Sequence, residues 1–448
     1  MRDFNRNVRK LPIRTLGLLL AVVGAASLRA GDFDGAPIKY SESTPNNVIT
    51  QLAGKLKLGD KKLQYDETTG YLKDLLKELE ISELSQTLVY SKTSFQRPRI
   101  APDTPRALYF NEDCYIGYCR NGDVLEVSAV DSQLGVVFYT LEQHNDDRPK
   151  FVRQTDSCLI CHGGSMTEGI PGNIVRSVYP STNGEPIYSA GTTRVDHRTP
   201  LEKRWGGWYV SGTHGAQTHL GNLVVHTRQV PDKVDNSEGM NQIDLTKRFD
   251  PSAYLSPHSD LVALMILEHQ CQGQNLIIKA GFETRQALHY EAALRNDFGE
   301  DQKAAHWDST NHRIESACKS LVKYLLFHQE ARLIAPLAGT TEYARQFAAG
   351  GIKDSQQRSL RDLDLQTRLF RFPLSYLIDS KLFQALPDDA TRVIWHEIYS
   401  ILTAEKPREG FEHLSPADRE NILSIVRETV PNLPAEWKTG TSDKSPNQ

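Results

Sequence analysis

The run Cys158-Leu159-Ile160-Cys161-His162 constrains this 448-residue chain more than any other feature. On one turn of helix, residues three apart share a face. Two thiols placed that way can reach the two vinyl groups on one edge of a haem, and the next residue, His162, then falls under the iron as proximal ligand. CxxCH is the attachment signature of haem c, so the chain is expected to carry one covalent haem on Cys158 and Cys161. Ser157 is expected to cap the turn, and Gly163-Gly164 to end it. Three other readings stand beside it. CxxC can be a thiol–disulfide pair, but no βαβ pattern surrounds it. It can supply zinc, but a second closely spaced pair would be needed, and Cys114 and Cys119 are not at a knuckle spacing. The motif can also arise by chance.

The N-terminus bears on the same question independently. Arg2, Arg6, Arg9, Lys10 and Arg14 precede the apolar run Leu16 to Ala26, and small residues follow. That order reads as a secretory signal over residues 1–30, cleaved between Ala26 and Ala30. The run is too short to cross a hydrocarbon core of ~30 Å, although an uncleaved anchor is the alternative. A periplasmic or otherwise exported location is expected, which is where haem c is attached. Formal net charge is −4; six Lys/Arg and one Asp in the first 30 residues contribute +5, which leaves −9 for the remainder. An acidic mature chain argues against nucleic acid as a partner. Six cysteines are too few for a disulfide scaffold, and Cys114, Cys119, Cys271 and Cys318 allow three pairings. No transmembrane span is expected in the mature chain.

The expected fold class is α+β: an antiparallel β-rich, haem-bearing domain over 75–235, then a mainly helical domain over 258–437. A polar N-terminal segment (31–74) precedes them, a linker (236–257) joins them, and a disordered tail (438–448) follows. Leucine spacing predicts a helix over 72–88. Residues 107–143 read as three antiparallel strands, with Asn121-Gly122 as a hairpin turn. Strands are also expected at 205–211 and 220–227. The stretch 260–270 is apolar all round and predicts a buried helix. Further helices are expected near 283–296, 313–334, 359–384, 388–403 and 415–428.

A thioether-bound haem usually has a second axial ligand. Met166 is too close to His162 to reach the other face, Met240 lies in the linker, and Met265 reads as core. The histidine-bearing loop 212–219 offers His214 and His219 as distal candidates, with His197 and His269 behind them; a five-coordinate iron stays open. Arg153, Arg176, Arg194 and Arg204 could face the propionates. Trp205, Trp208 and Tyr209 could pack on the porphyrin, although strand core is the plainer reading. Glu268 on the buried helix needs a partner. No phosphate loop, dinucleotide fingerprint or nucleophile elbow is present.

The blocks 157–164 (SCLICHGG), 170–180 (IPGNIVRSVYP), 204–215 (RWGGWYVSGTHG), 259–270 (SDLVALMILEHQ) and 359–380 (SLRDLDLQTRLFRFPLSYLIDS) resemble a family of exported bacterial cytochrome c domain-containing proteins with a single CxxCH site. The resemblance covers residues 75–405. It implies haem binding and, by class, electron transfer, with Cys158, Cys161 and His162 carried over; Cys114, Cys119 and His328 do not match the family's pattern. The leading expectation is single-electron transfer to a redox partner protein. The alternatives are a haem enzyme with an open iron site, peroxidase-like or nitrogen-oxide-converting, and a haem-based sensor.

Overall fold

The computed structural model describes residues 32–227, 229–230 and 234–438. The expected export signal, and all of the expected tail but Lys438, lie outside these residues. The chain begins with α1 (Val48–Leu58) and α2 (Leu72–Glu78), followed by β1 (Thr87–Val89), β2 (Arg106–Phe110), β3 (Cys114–Tyr118), β4 (Val124–Asp131), β5 (Gly135–Glu142) and β6 (Phe151–Gln154). The short α3 (Leu159–His162) carries the CxxCH motif, and β7 (Arg176–Val178), β8 (Thr192–Arg194), β9 (Trp208–Tyr209) and β10 (Gly212–Thr213) come next. The remainder is α4 (Leu261–Phe298), α5 (Asp308–Leu325), β11 (Ala338–Gly339), α6 (Tyr343–Ala349), α7 (Lys381–Gln384), α8 (Asp388–Thr403), α9 (Pro416–Thr429) and α10 (Ala435–Lys438).

The class is α+β. Seven strands form one antiparallel sheet in the order β6-β5-β4-β3-β2-β1-β9. Register decides which residues share a face. Phe110, Tyr115, Ser128, Phe138 and Gln154 lie opposite one another across successive strands, and Leu108, Gly117, Glu126 and Thr140 form the neighbouring row. Alternation places all nine on one face. That face meets α4 through Tyr115, whose hydroxyl donates to Gln274 (2.6 Å) and accepts from Gln270 (2.7 Å). A single cluster of buried apolar side chains runs from Phe33 to Trp437 through sheet and helices alike.

Several elements differ from the sequence expectation, each for a local reason. The predicted helix over 72–88 stops at Glu78, because Glu80 takes a left-handed φ of 55°; its distal leucines serve a 3-10 turn and β1 instead. Residues 107–143 hold four strands rather than three, with tight turns at Asn121 (φ 53°) and Gly135 (φ 78°). The expected strand at 205–211 shrinks to Trp208–Tyr209, since Trp205 and Gly207 both have positive φ. The one expected at 220–227 is irregular, with a lone bridge at Val225. The helices expected at 260–270 and 283–296 are one helix of 38 residues. Gly273 does not break it; a Cβ there would lie 2.3 Å from Leu377 Cδ1, so the glycine admits close packing. The helix expected to reach 334 ends at Leu325, before Phe327 and Gln329 turn to positive φ. The stretch 359–384 is mostly irregular. There the Asp364 carboxylate accepts the backbone N–H groups of Gln366 (2.8 Å) and Thr367 (2.6 Å), a turn that competes with helix. The expected helices at 388–403 and 415–428 are present as α8 and α9. The segment 31–74, expected to be polar with no clear period, holds α1, which starts with a capping box of Asn47 and Thr50.

Helix α4 is buried through its first half despite a row of polar residues there. Glu268 has no exposed surface. Its carboxylate accepts from the Arg204 guanidinium and from Trp205 Nε1 (2.9 Å). Burial pushes its pKa upward, and the two donors oppose that rise. Removing one partner of a buried ion pair strands the other, at a cost of about 3–5 kcal/mol. Glu283 on the same helix pairs with Arg313 in solvent (3.2 Å), where such pairs contribute at most ~1 kcal/mol. Urea unfolding is therefore expected to show Glu268→Ala losing several-fold more stability than Glu283→Ala. Equal losses would refute this account of the helix.

Candidate functional site

The motif turn is closed by backbone bonds. Cys158 O accepts from Cys161 N–H (3.3 Å) and His162 N–H (2.9 Å), and Leu159 O accepts from Gly163 N–H (2.9 Å). The expected Ser157 cap is absent: Cys158 occupies the cap position in helical conformation, with no side-chain cap bond. Gly163 ends the turn as expected. Cys158 is half-buried and Cys161 exposed, and both are free thiols. Burial pushes the Cys158 thiol up to about 11, and Glu126 and Cys161 add to the rise.

His162 is held from two sides by one residue. Gly172 N–H donates to His162 O (2.9 Å), and Gly172 O lies 2.8 Å from His162 Nδ1. A carbonyl can only accept, so Nδ1 carries the proton and Nε2 keeps its lone pair. Nε2 has no hydrogen-bond partner among the described residues. Burial is the main cause that holds the imidazole below its ordinary pKa, with the charges of Arg106 and Arg176 adding to it. The result is a neutral ring with a free lone pair, the form in which histidine ligates a metal. A Cβ at position 172 would lie 2.3 Å from the Oδ1 of buried Asn275, so glycine lets the two segments approach this closely. The segment is pinned by Asn275 Nδ2 donating to Asn173 O (2.7 Å) and by Val136 N–H donating to Pro171 O (3.0 Å).

Cys158, Cys161 and His162 all border one cavity of about 570 Å³. That size is within the ~300–1,000 Å³ usual for cofactor sites. Its walls are the sheet face carrying Ser128 and Phe138, the 173–176 segment and α4 at Leu267 and Cys271. The Phe138 ring lies 4.8 Å from that of His162. Arg106 enters the wall because Gly117 has no side chain; a Cβ there would sit 2.1 Å from its Nη2. It pairs with Glu126 at 2.7 Å, both largely buried. Phe95, Ile160 and Tyr188 on its border are 62%, 83% and 67% exposed. An imidazole lone pair, two thiols three apart and a cavity bordered by aromatic rings together fit a covalently held haem.

The other expected residues scatter. Trp208 and Arg176 border the cavity. Trp205 instead bonds Glu268, and Tyr209 packs on Tyr90 with ring centroids 4.5 Å apart. Arg153 donates to the carbonyls of Ser43 and Tyr40, Arg194 to Glu168 and Arg204 to Glu268. The distal candidates His214 and His219 lie outside the cavity, packed on each other at 4.7 Å. His197 and His269 are also outside it, joined through their Nδ1 atoms at 2.8 Å. Met166 borders the cavity near the motif. Sequence reasoning missed Arg106, Glu126 and Tyr115; the alternation of β2 to β4 held the only signal for them. All six cysteines are free. Among the described residues no cluster of three or more His, Cys, Asp or Glu is arranged to hold a metal ion. No helix among them is long and apolar enough to cross a membrane.

The buried histidines predict an acid sensitivity. Burial depresses His219 and His269 to about 3 each, with the neighbouring His214 adding to the effect on His219. The unfolded chain takes up these protons from pH ~6.5 downward while the folded chain refuses them, so stability is lost as pH falls through that range. At pH 5 each residue costs about 2 kcal/mol. Between pH 7.5 and 5.0 the wild-type urea midpoint is expected to fall, and His269→Gln to lose about 2 kcal/mol less. An unchanged pH dependence in the variant would contradict this reading. Comparison with protein-family models, with curated proteins and with solved structures gives no match for the chain.

Proposed function

We propose that this chain is an exported c-type cytochrome that binds one haem c through Cys158 and Cys161, with His162 as proximal ligand, and passes single electrons to a redox partner protein. The observation that carries the reading is the convergence of those three side chains on one cavity, with His162 Nδ1 tied to the Gly172 carbonyl at 2.8 Å. When bound, the haem would supply a one-electron couple; the protein sets its potential through burial and ligation. His162 offers Nε2 in a fixed tautomer. Buried Phe138 and Leu267 give one side of the space an apolar wall, and the exposed Ile160 leaves the motif edge open to a partner.

A second reading is an open-iron haem enzyme or sensor. It is favoured by the polar wall of the cavity, where the Arg106–Glu126 pair and Tyr115 stand with no histidine other than His162 among the described lining residues. In that case Arg106 and Glu126 would orient a small polar ligand and handle its proton.

Co-expression with a haem c maturation system, followed by denaturing electrophoresis and optical spectra, tests both readings. Covalently retained haem is expected in the wild type and its loss in Cys158→Ser/Cys161→Ser. His162→Ala is expected to lose the native axial signature. Low-spin bands support electron transfer, and high-spin haem that takes up cyanide or CO supports the second reading. Wild-type protein without retained haem would overturn both.

A further inference from the structure

Four cations border the cavity: Lys92, Arg97, Arg106 and Arg176. Lys92 and Arg97 share Glu185, at 3.9 and 3.4 Å, and Arg106 is held by Glu126. The guanidinium of Arg176 has no hydrogen-bond or carboxylate partner among the described residues, although the residue is half-buried. Its backbone is fixed, since Trp208 Nε1 donates to Arg176 O (2.8 Å). Across the β7–β8 ladder it faces Arg194 directly, and like charges at directly opposed positions are unfavourable. Arg194 is relieved by Glu168 at 2.6 Å, and Arg176 is not. Nearby, Asn173 borders the same cavity with its Nδ2 donor buried and unpaired, and Arg106 Nε is buried and unpaired as well. Buried donors without acceptors are costly, and a guanidinium is built to take carboxylates and oxyanions in a fork.

We propose that Arg176, supported by Arg106 and Asn173, forms an anion subsite at one end of this cavity and takes a carboxylate or a small oxyanion beside His162. The inference rests on the haem reading for one of its two sources: the carboxylate belongs either to a propionate of the bound haem or to a free anionic ligand. Arg176 and His162 border the same cavity, which puts the subsite and the motif in one space.

The test uses holoprotein as wild type, Arg176→Leu, Arg176→Lys and Arg345→Gln. The last removes a charge at a position 82% exposed on α6, outside the cavity lining. Two readouts are taken: the propionate-bending bands in the resonance Raman spectrum, and the Soret response to titration with formate and nitrite. A propionate partner predicts a shifted bending band and a lowered reduction potential in Arg176→Leu, restored in part by lysine and absent in Arg345→Gln. A free-anion partner predicts a saturable Soret response in the wild type that Arg176→Leu loses, with the Raman bands unmoved. Raman bands and anion response both unchanged in Arg176→Leu overturn the proposal. If the wild-type chain holds no covalent haem, the cofactor reading fails separately. The subsite is then read by thermal unfolding with formate or nitrite: a rise in melting temperature in wild type but not in Arg176→Leu supports it, and no difference between the two overturns it.

Discussion

A helix buried on every side cannot carry polar residues unless each finds a partner. Helix α4 carries six in eight positions, and all are partnered; Gln270 and Gln274 share Tyr115, and the others reach separate parts of the chain. Glu268 takes Arg204 and Trp205, and His269 takes His197 and Ser375. Gln270 takes Asn111, Tyr115 and Tyr376. Gln272 takes Glu168, Gln274 takes Tyr115 and Glu112, and Asn275 takes Asn173. A slip of one residue would rotate every one of these side chains by about 100° and leave the row unpaired. The row therefore fixes the position of the sheet, the motif loop and the C-terminal segments relative to one helix.

The motif benefits directly. Gln272 and Lys279 hold Glu168, which follows the CxxCH turn in a left-handed conformation, and Glu168 holds Arg194. Asn275 holds the segment whose Gly172 carbonyl sets the His162 tautomer. The Thr167 hydroxyl, fully buried, lies within hydrogen-bond distance of the carbonyls of His162, Gly164 and Ile170. The stiffness of His162 thus comes from α4 and β5, not from the four residues of its own short helix.

The sequence was most legible where chemistry is local. CxxCH spacing was enough to single out Cys158, Cys161 and His162, and continuous apolarity was enough for the start of α4. Helices α8 and α9 could be read because their apolar period agrees with the punctuation at their starts, Pro387 before α8 and the Ser415 capping box before α9. Segment 359–384 misled because its apolar residues keep helical spacing while Asp364 binds the backbone of a turn. The short strands β7 to β11 carry too few residues for a period to show. The walls of the cavity were illegible for a different reason. Arg106 faces it only because Gly117, diagonal to it on β3, has no side chain, and Glu126 only through a register that pairing alone defines. The histidines at 197, 214, 219 and 269 attracted attention by type; their placement away from the cavity follows from burial contacts far along the chain.

The grip of Gly172 on His162 also orders events in time. The turn from Cys158 to His162 closes over five residues, by local backbone bonds alone. The Gly172 carbonyl is ten residues away, and the Asn275 amide that steadies its segment is 102 residues from Asn173. Contacts at short separation form ahead of those that must close long loops. In a chain that is still unfolded such a lone turn forms only transiently, so both thiols are accessible while the imidazole swings freely. Only when α4 docks does the ring lose that freedom, so the motif is open to modification early and becomes rigid late.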